Sequence, residues 1–378
     1  MSDVPPDGSG YFLYHSIGMF PGKGTLIGRA LTDFSSAWGA PDDSQWSVAL
    51  RARGQFIDSW RALINAPAGT LTHAENVTSA LYTLINSLPE AHRVARKILV
   101  TADCFPSLHF VLAGMAQRHG FELHTVPLRP GETWVREEDI VAHWTPEVGV
   151  ALLTSVTSTA SYRCDHRTLI DHGRRMGSLI GVDITQSIGL FAFDVAAAGV
   201  DFVVSTSLKW LGGTSGAGIL YVRAPLLEEC APELRGWFSQ SDIFAWNLDG
   251  FRYAPDARRF DTGTPAILAC VGTLPALQWH AAQDAKTLLS HNRALSARIL
   301  AAAVSLGLSP ASPVDDRRRG GSIMLRLPAD RSAVVLAALR AEAIYADCRG
   351  STLRLSPGNM TTAVGVERLI GILARSAR

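Results

Sequence analysis

The chain has 378 residues, and its 35 lysines and arginines nearly balance 34 aspartates and glutamates. A net charge near +1 provides no basic surface for nucleic acid. No apolar stretch approaches the roughly 20 residues that a membrane helix needs. The polar start, MSDVPPDGSG, is unlike a signal peptide, so we expect a cytoplasmic protein. With 47% hydrophobic and 18% charged residues, a globular chain of this length is expected to form two domains.

The elements that the sequence predicts begin with two helices, at residues 48–63 and 76–87, where apolar residues recur at helical spacing. From residue 97 onward, short apolar strands alternate with helices. The predicted strands are 97–103, 122–128, 148–156, 178–185, 201–207 and 217–223, and the helices between them include 108–120 and 168–177. This alternation predicts an α/β fold with a mostly parallel sheet flanked by helices.

The pattern changes after residue 225 into an aromatic-rich stretch and then, from residue 265, into helical segments. Two further strands, GSIMLRL and STLRLSP, with a helix between them, predict a smaller α+β domain. We divide the chain into an N-terminal segment 1–45 that packs on the small domain and active site, a large domain 46–255 and a small C-terminal domain 256–378.

The cysteines and histidines do not suggest a metal site. The five cysteines form no CxxC pair, and the eleven histidines form no H-x-x-x-H pair. We therefore expect reduced, mostly buried thiols. The cysteines are Cys104, Cys164, Cys230, Cys270 and Cys348.

Polar residues at the ends of the predicted strands form a chemical pattern. Asp183 follows an apolar strand, where an unpaired carboxylate is costly unless a cation such as a protonated pyridine nitrogen accompanies it. Lys209 follows a later strand, and a lysine in a dry pocket is nucleophilic enough to form a Schiff base. Thr78 begins a helix whose free N–H groups can hold a phosphate, and Phe105 can lie against a flat ring. Pyridoxal 5'-phosphate (PLP) requires such an arrangement.

The segment GVDITQSIGLFAFDVAAAGVDFVVSTSLKWLGGTSGAGILYV, residues 181–222, resembles the PLP-lysine region of fold-type I enzymes in the class V aminotransferase group. Within that group the chain is most similar to kynureninase. Shorter similar stretches follow in the same order along the chain: YFLYHSIGMFP, NVTSALYTLI, KILVTADCFPSLHF, LRGWF, GTPAI and LRLSPGNMTT. The resemblance implies a PLP-dependent enzyme of that fold, with a mostly parallel, seven-stranded sheet flanked by helices in the large, PLP-binding domain and a smaller α+β domain after it.

The resemblance also implies roles for individual residues. Lys209 would carry the coenzyme and move protons, and Asp183 would hold the pyridine nitrogen protonated. Gln186 would bind the phenolic oxygen, and Phe105 would stack on the ring. The phosphate would be bound by Val77 and Thr78, by Thr154 or Ser207, and by Trp237. The amino acid substrate would be bound by Arg354, which takes the α-carboxylate, and by Ser16 and His15. Thr264 would reach the phosphate of a partner subunit, which implies a homodimer with shared active sites.

Several positions depart from kynureninase. Leu208 stands where kynureninases have a tyrosine before the lysine, and Thr264 replaces the asparagine of their NPP turn. His15, in YHSIG, replaces an asparagine, and a substrate-site histidine expected after the first tryptophan has no equivalent. A Gly-Thr turn at residues 263–264 is typical of class V aminotransferases. These departures predict a substrate other than kynurenine, in a biosynthetic pathway for example.

The sequence leaves four functions open. Cleavage at Cβ, by C–C hydrolysis or β-elimination of a thiol, ranks first because of the similarity to kynureninase. Transamination is favoured by Gln186 and the Gly-Thr turn. Decarboxylation coupled to oxidative deamination, and a non-catalytic scaffold of the same fold, are the other two alternatives.

Overall fold

The computed structural model describes residues 7–377, so the first six residues of the predicted N-terminal segment lie outside it. The large domain contains a seven-stranded sheet. Its strands are β1 (Leu71–Ala74), β2 (Lys97–Thr101), β3 (Glu122–Val126), β4 (Val148–Thr154), β5 (Leu179–Asp183), β6 (Phe202–Thr206) and β7 (Gly218–Val222). They lie in the order β1-β7-β6-β5-β4-β2-β3, and β7 alone runs antiparallel to its neighbours. The predicted α/β fold with a mostly parallel seven-stranded sheet is confirmed.

Helices cover both faces of this sheet. The large-domain helices are α1 (Lys23–Trp38), α2 (Gln45–Leu63), α3 (Val77–Ser87), α4 (Glu90–Arg93), α5 (Pro106–His119), α6 (Glu137–His143), α7 (His166–Met176), α8 (Val195–Ala198), α9 (Ala224–Glu229) and α10 (Ile267–Ala281). One face packs against α2, α6, α7 and α10, and the other packs against α3, α5 and α9. Because both faces are covered, β5 and β6 are buried along their whole length, which explains their continuous apolar sequences.

The small domain has its own core around a four-stranded antiparallel sheet. Its strands are β8 (Ser309–Pro310), β9 (Ile323–Arg326), β10 (Asp347–Arg349) and β11 (Thr352–Leu355), in the order β10-β11-β9-β8. Its helices are α11 (Ala285–Ser305), α12 (Ser332–Ala341) and α13 (Ala363–Ser376). The three helices and the sheet share one apolar cluster.

The boundary between the domains lies further along the chain than the predicted residue 256. Phe260 packs in the large-domain core beneath α3 and α5, and Cys270 and Leu277 of α10 pack in the core on the other face. By contrast, Leu295 and Ile299 of α11 belong to the small-domain core. The packing therefore places the change of domain between α10 and α11. The sequence did not predict this boundary because α10 is an apolar helix, and its sequence does not show which of the two cores it packs in.

The N-terminal segment connects the two domains. Phe12 is buried in the small-domain core, and Leu13 forms a bridge with Ser356 after β11. A few residues later, the Gly18 N–H donates to the Leu208 carbonyl at 2.9 Å. At Gly18 the backbones approach so closely that an added Cβ would lie 1.8 Å from the Lys209 carbonyl oxygen. The start of the chain is thus packed against the backbone that carries Lys209.

Among residues 7–377, no helix combines the length and the apolar character needed to cross a membrane. All five cysteines are free, and three of them, Cys104, Cys230 and Cys270, are buried.

Candidate active site

A cavity of about 340 Å³ opens where β4, β5 and β6 end. This is the edge of an open α/β sheet at which ligands usually bind. Seven of the predicted site residues line it together: Val77, Thr78, Phe105, Thr154, Asp183, Gln186 and Lys209. The cavity is completed by residues to which the sequence had assigned no role, among them Ser107, Leu108, Val156, Ser158, Thr185 and Thr206.

Lys209 lies three residues after the end of β6, on the wall of this cavity. Its Nζ is 5.0 Å from the centroid of the Phe105 ring. Burial lowers the pKa of Lys209 to about 8, Asp183 opposes this shift, and the charges of Arg354 and Arg349 add to it. An amine with this pKa is substantially neutral at mildly alkaline pH and can attack an aldehyde.

Asp183 is the last residue of β5 and its side chain is buried. Its Oδ1 accepts a hydrogen bond from the Thr185 N–H at 2.9 Å, which fixes the carboxylate at the end of the strand. Burial raises the pKa of Asp183, while the hydrogen bonds from Thr185 and the charge of Lys209 act in the opposite direction. A buried carboxylate of this kind is stabilised by a cation in the cavity, such as a protonated pyridine nitrogen.

The first turn of α3 provides a site for an anion. Asn76 and Ser79 form a capping box, in which the Ser79 N–H donates to Asn76 Oδ1 at 2.9 Å. Val77 and Thr78 lie in the same turn and line the cavity, and first-turn N–H groups have no acceptor within their helix. The hydroxyls of Thr154 and Ser158, also on the cavity wall, are buried and have no partner among the described residues.

Together these features fit PLP. The helix terminus suits its phosphate, Asp183 suits its pyridine nitrogen, and Lys209 suits its aldehyde, while Thr154 and Ser158 supply two unpaired hydroxyls on the same wall. Phe105 lies beside the lysine amine and lines the cavity, where a flat ring can stack on it. Buried polar atoms without a partner are rare in proteins, which supports a ligand at this position.

Gln186 is held by two hydrogen bonds from different parts of the chain. Its Nε2 donates to the His15 carbonyl at 3.0 Å, and Trp210 Nε1 donates to its Oε1 at 3.3 Å. The side chain therefore has a fixed orientation on the cavity wall. The contact also joins the N-terminal segment to the large domain at the site.

The predicted substrate-binding residues lie on the small-domain side and form a network that includes Asp347. Arg354 Nε donates to Asp347 Oδ1 at 2.8 Å, and Arg354 Nη2 donates to Asp347 Oδ2. His15 is buried, and its Nε2 lies 3.2 Å from Asp347 Oδ1. Ser16 is half-buried and follows directly in the same turn, in which its N–H donates to the Leu13 carbonyl.

The charges of this network follow from its contacts. Burial acts to raise the pKa of Asp347, but the hydrogen bonds from His15 and Arg354 outweigh it and hold this pKa well below its usual range. Burial lowers the pKa of His15, although Asp347 opposes the shift. Near neutral pH, Asp347 and Arg354 are therefore an ion pair and His15 is neutral. Asp347 was not among the site residues predicted from the sequence.

Ser207 requires a correction, because its hydroxyl does not face the cavity. The side chain is fully buried, its Oγ donates to the Ala217 carbonyl at 2.6 Å, and it accepts from Trp60 Nε1 at 3.0 Å. The neighbouring residue that lines the cavity is Thr206. Successive residues of a strand point to opposite sides, so an error of one residue selects the wrong hydroxyl.

Trp237 and Thr264 do not line the Lys209 cavity of their own chain. Trp237 packs against Phe238 with ring centroids 4.5 Å apart, and against Trp46. Thr264 is exposed and lines a second cavity, of about 330 Å³, next to Asp261. The phosphate contacts predicted for these two residues therefore stay predictions.

The part of the chain that the structure describes contains no group of three His, Cys, Asp or Glu side chains placed to hold a metal ion.

Comparison with known proteins agrees with this site. Residues 54–368 match the family described as Aminotransferase class-V, and the chain belongs to this family. It is a PLP-dependent enzyme of fold type I.

The sequence identity to individual relatives is low. A kynureninase from Deinococcus radiodurans is 30% identical over 239 residues, which cover 62% of this chain and 56% of the kynureninase. An uncharacterized aminotransferase of Bacillus subtilis, YcbU, is 26% identical over 88% of this chain and 85% of its own length. The apo structure of a cysteine desulfurase from Thermococcus onnurineus NA1 superposes with a TM-score of 0.85 at 18% identity, over 97% of this chain and 94% of that chain.

Proposed function

We propose that this enzyme acts on an α-amino acid with a free α-carboxylate and cleaves a bond at Cβ, by β-elimination or C–C hydrolysis. When bound, PLP draws electrons from Cα of an attached amino acid and so makes the neighbouring bonds labile. The protein residues then determine which bond breaks. Similarity to kynureninases supports chemistry at Cβ.

The observation that carries the proposal is that two titratable side chains, Asp183 and Lys209, line the cavity. Asp183 is fixed at the position proposed for the ring nitrogen, so proton transfer at the substrate falls to Lys209. With a pKa of about 8, this amine can accept the Cα proton and return it at the same face. One lysine is sufficient for an elimination whose leaving group departs as a stable anion.

Within Cβ chemistry, these contacts favour β-elimination of a thiol. Leu208 occupies the position next to Lys209 and lines the cavity with an apolar side chain. Hydrolysis of a ketone needs a further acid at its carbonyl oxygen, whereas a thiolate leaves without one. In the proposed reaction the Cα proton passes to Lys209 and the Cβ–S bond breaks. The cysteine conjugate and one water then yield the thiol, pyruvate and ammonium.

The experiment is to incubate the holoenzyme with a panel of cysteine S-conjugates, S-phenyl-L-cysteine among them, and with L-kynurenine. We expect pyruvate, ammonium and the free thiol to form in equal amounts over many turnovers without added keto acid. Lys209→Ala is the inactive control. Turnover of kynurenine at a rate ordinary for enzymes would contradict the proposal of a different, specialised substrate.

Transamination is the second candidate, because the exposed Gly263–Thr264 turn and the similarity to the Bacillus subtilis aminotransferase favour it. The same panel separates the two reactions. An aminotransferase stops after one turnover per site unless a keto acid is supplied, and it produces no free thiol. A stoichiometric requirement for keto acid would contradict elimination and support transamination in its place.

A homodimer with shared active sites is part of the proposal. Thr264 is exposed and does not line the Lys209 cavity of its own chain, which supports a contact with the phosphate of a partner subunit. Mixing two inactive variants, Lys209→Ala and Thr264→Ala, tests this. A mixed dimer holds one intact site, so activity should return on mixing. A monomer that binds the coenzyme tightly, or no recovery in mixed dimers, would contradict shared sites.

A further inference from the structure

The contacts around Arg354 divide its guanidinium into two edges. Asp347 occupies the Nε–Nη2 edge with two hydrogen bonds, in the side-on arrangement that is favourable for a carboxylate. Nη1 donates to no acceptor among the described residues, so the Nη1–Nη2 edge remains for another anion. Only 11% of the Arg354 side chain is exposed, so this charge is largely buried and confined to one position.

Asp347 is itself held from the opposite side. The neutral His15 ring, with its proton on Nε2, donates to Asp347, and its Nδ1 accepts from Ser356 Oγ at 2.6 Å. Ser356 Oγ in turn lies 2.6 Å from Ser322 Oγ. This proton arrangement satisfies every donor along the chain of contacts and therefore defines the tautomer of His15. The network links the N-terminal segment, β10 and the residues next to β9 and β11.

Register places Arg354 directly opposite Asp347 in the β10–β11 pair. Leu353, the residue before Arg354, faces the small-domain core, so Arg354 points to the other side of the hairpin. The charges of Arg354 and Arg349 both reach Lys209. His15 also joins this network to the Lys209 cavity, because its carbonyl accepts a hydrogen bond from Gln186 on the cavity wall, so this side of the hairpin lies next to the coenzyme site.

We propose that Asp347, held by His15, is a positioning residue that fixes Arg354 so that its free edge receives the substrate's α-carboxylate. The inference rests on the proposed role of Arg354, but it is independent of which bond the enzyme cleaves. An unanchored arginine has many rotamers, and ordering one on binding costs conformational entropy. The anchored side chain has lost this freedom before the substrate arrives. The negative charge of Asp347 repels an incoming carboxylate. Because the Asp347 side chain is 34% exposed, solvent screens this repulsion.

The test compares L-alanine with L-alaninamide, which differ in the carboxylate and carry no further side-chain group. Binding of each to the holoenzyme is followed by the change in coenzyme absorbance. We expect the wild-type enzyme to bind L-alanine at least tenfold more tightly than L-alaninamide. Asp347→Asn should weaken binding of L-alanine about tenfold and leave that of L-alaninamide within twofold. The unchanged amide is the internal control for folding and coenzyme binding.

The role of His15 is tested by a double-mutant cycle. His15→Phe should weaken L-alanine binding about threefold, and the His15→Phe/Asp347→Asn variant should bind no worse than Asp347→Asn alone, because His15 acts through Asp347. Asp315→Asn is the matched control, since Asp315 also pairs with an arginine, Arg317, but on the exposed surface. It should leave both ligands unaffected.

Other outcomes overturn the proposal. Tighter binding of L-alanine by Asp347→Asn would mean that Asp347 only opposes the carboxylate. Equal weakening of both ligands would indicate a structural role. If the wild type does not distinguish the two ligands, Arg354 does not select a carboxylate and the proposal fails with it. None of these results depends on whether the products are those of elimination or transamination, so the two proposals can fail separately.

Discussion

The two sides of the active site are constructed in different ways. The coenzyme side consists of neighbouring strand ends and one helix terminus of the large domain, and its main residues, Asp183 and Lys209, are close in sequence. The substrate side combines His15 from the start of the chain with Asp347 and Arg354 from its end. The first side is built mainly within the large domain. The second forms only when three segments pack together, and the N-terminal segment is common to both because it also contacts Gln186 and the backbone of Lys209.

The largest expected effect comes from removing the reactive group of the coenzyme side. Lys209→Ala should reduce turnover about a thousandfold or more, because the group proposed to carry the coenzyme and the Cα proton is lost. The coenzyme absorbance band should shift as well. Lys97→Ala, which removes a surface lysine paired with Glu147, should change neither property. Activity retained in Lys209→Ala would contradict the role of this residue.

The pH dependence of coenzyme capture probes the same side without a mutation. The neutral amine is the nucleophile, and with the pKa of Lys209 at about 8 its neutral fraction increases as the pH rises through 8. Capture of PLP by the apoenzyme should therefore accelerate about fiftyfold between pH 6 and pH 8. Stopped-flow absorbance measures this rate. A profile that continues to rise with an apparent pKa near 10.5 would mean that the lysine is not desolvated.

Thr206 and Ser207 provide a pair of adjacent hydroxyls on opposite sides of one strand end. Thr206→Val should weaken PLP binding about tenfold, because a hydroxyl on the cavity wall is lost. Ser207→Ala should leave PLP affinity unchanged and lower the free energy of unfolding by about 1–3 kcal/mol, because Trp60 loses its acceptor. Titration of the apoenzyme with PLP and denaturant unfolding separate the two effects. The reverse pattern would mean that Ser207 faces the coenzyme.

The smallest effect concerns the stability of the apoenzyme. The pKa of Asp183 is raised in the folded state, so its contribution to stability decreases as the pH rises above its unfolded value of about 3.9. At neutral pH this buried charge is destabilising, and Asp183→Asn should raise the Tm of the apoenzyme by about one or two degrees. The difference should vanish below about pH 4, where both forms are neutral. A lower Tm for the variant at pH 7 would contradict the prediction that the charged Asp183 destabilises the apoenzyme.

The sequence located several residues that line the Lys209 cavity because hydrophobic runs define the strands and polar residues follow their ends. Asp183, Lys209 and Thr78 could be selected in this way. Asp347 could not, since an acidic residue on a three-residue strand looks like any surface carboxylate until its register with Arg354 is known. The strand β1 was missed for a similar reason, because four residues are too few to show periodicity. Ser207 was misassigned because the sequence does not fix which of two neighbours faces inward.

Gly18 has a consequence for anyone who modifies this protein. Its N–H binds the Leu208 carbonyl, and there is no space for a side chain against the Lys209 backbone. Substituting it would displace the lysine from a position almost two hundred residues away in the chain. A preparation trimmed within residues 7–18 is expected to lose coenzyme reactivity although its large domain remains intact.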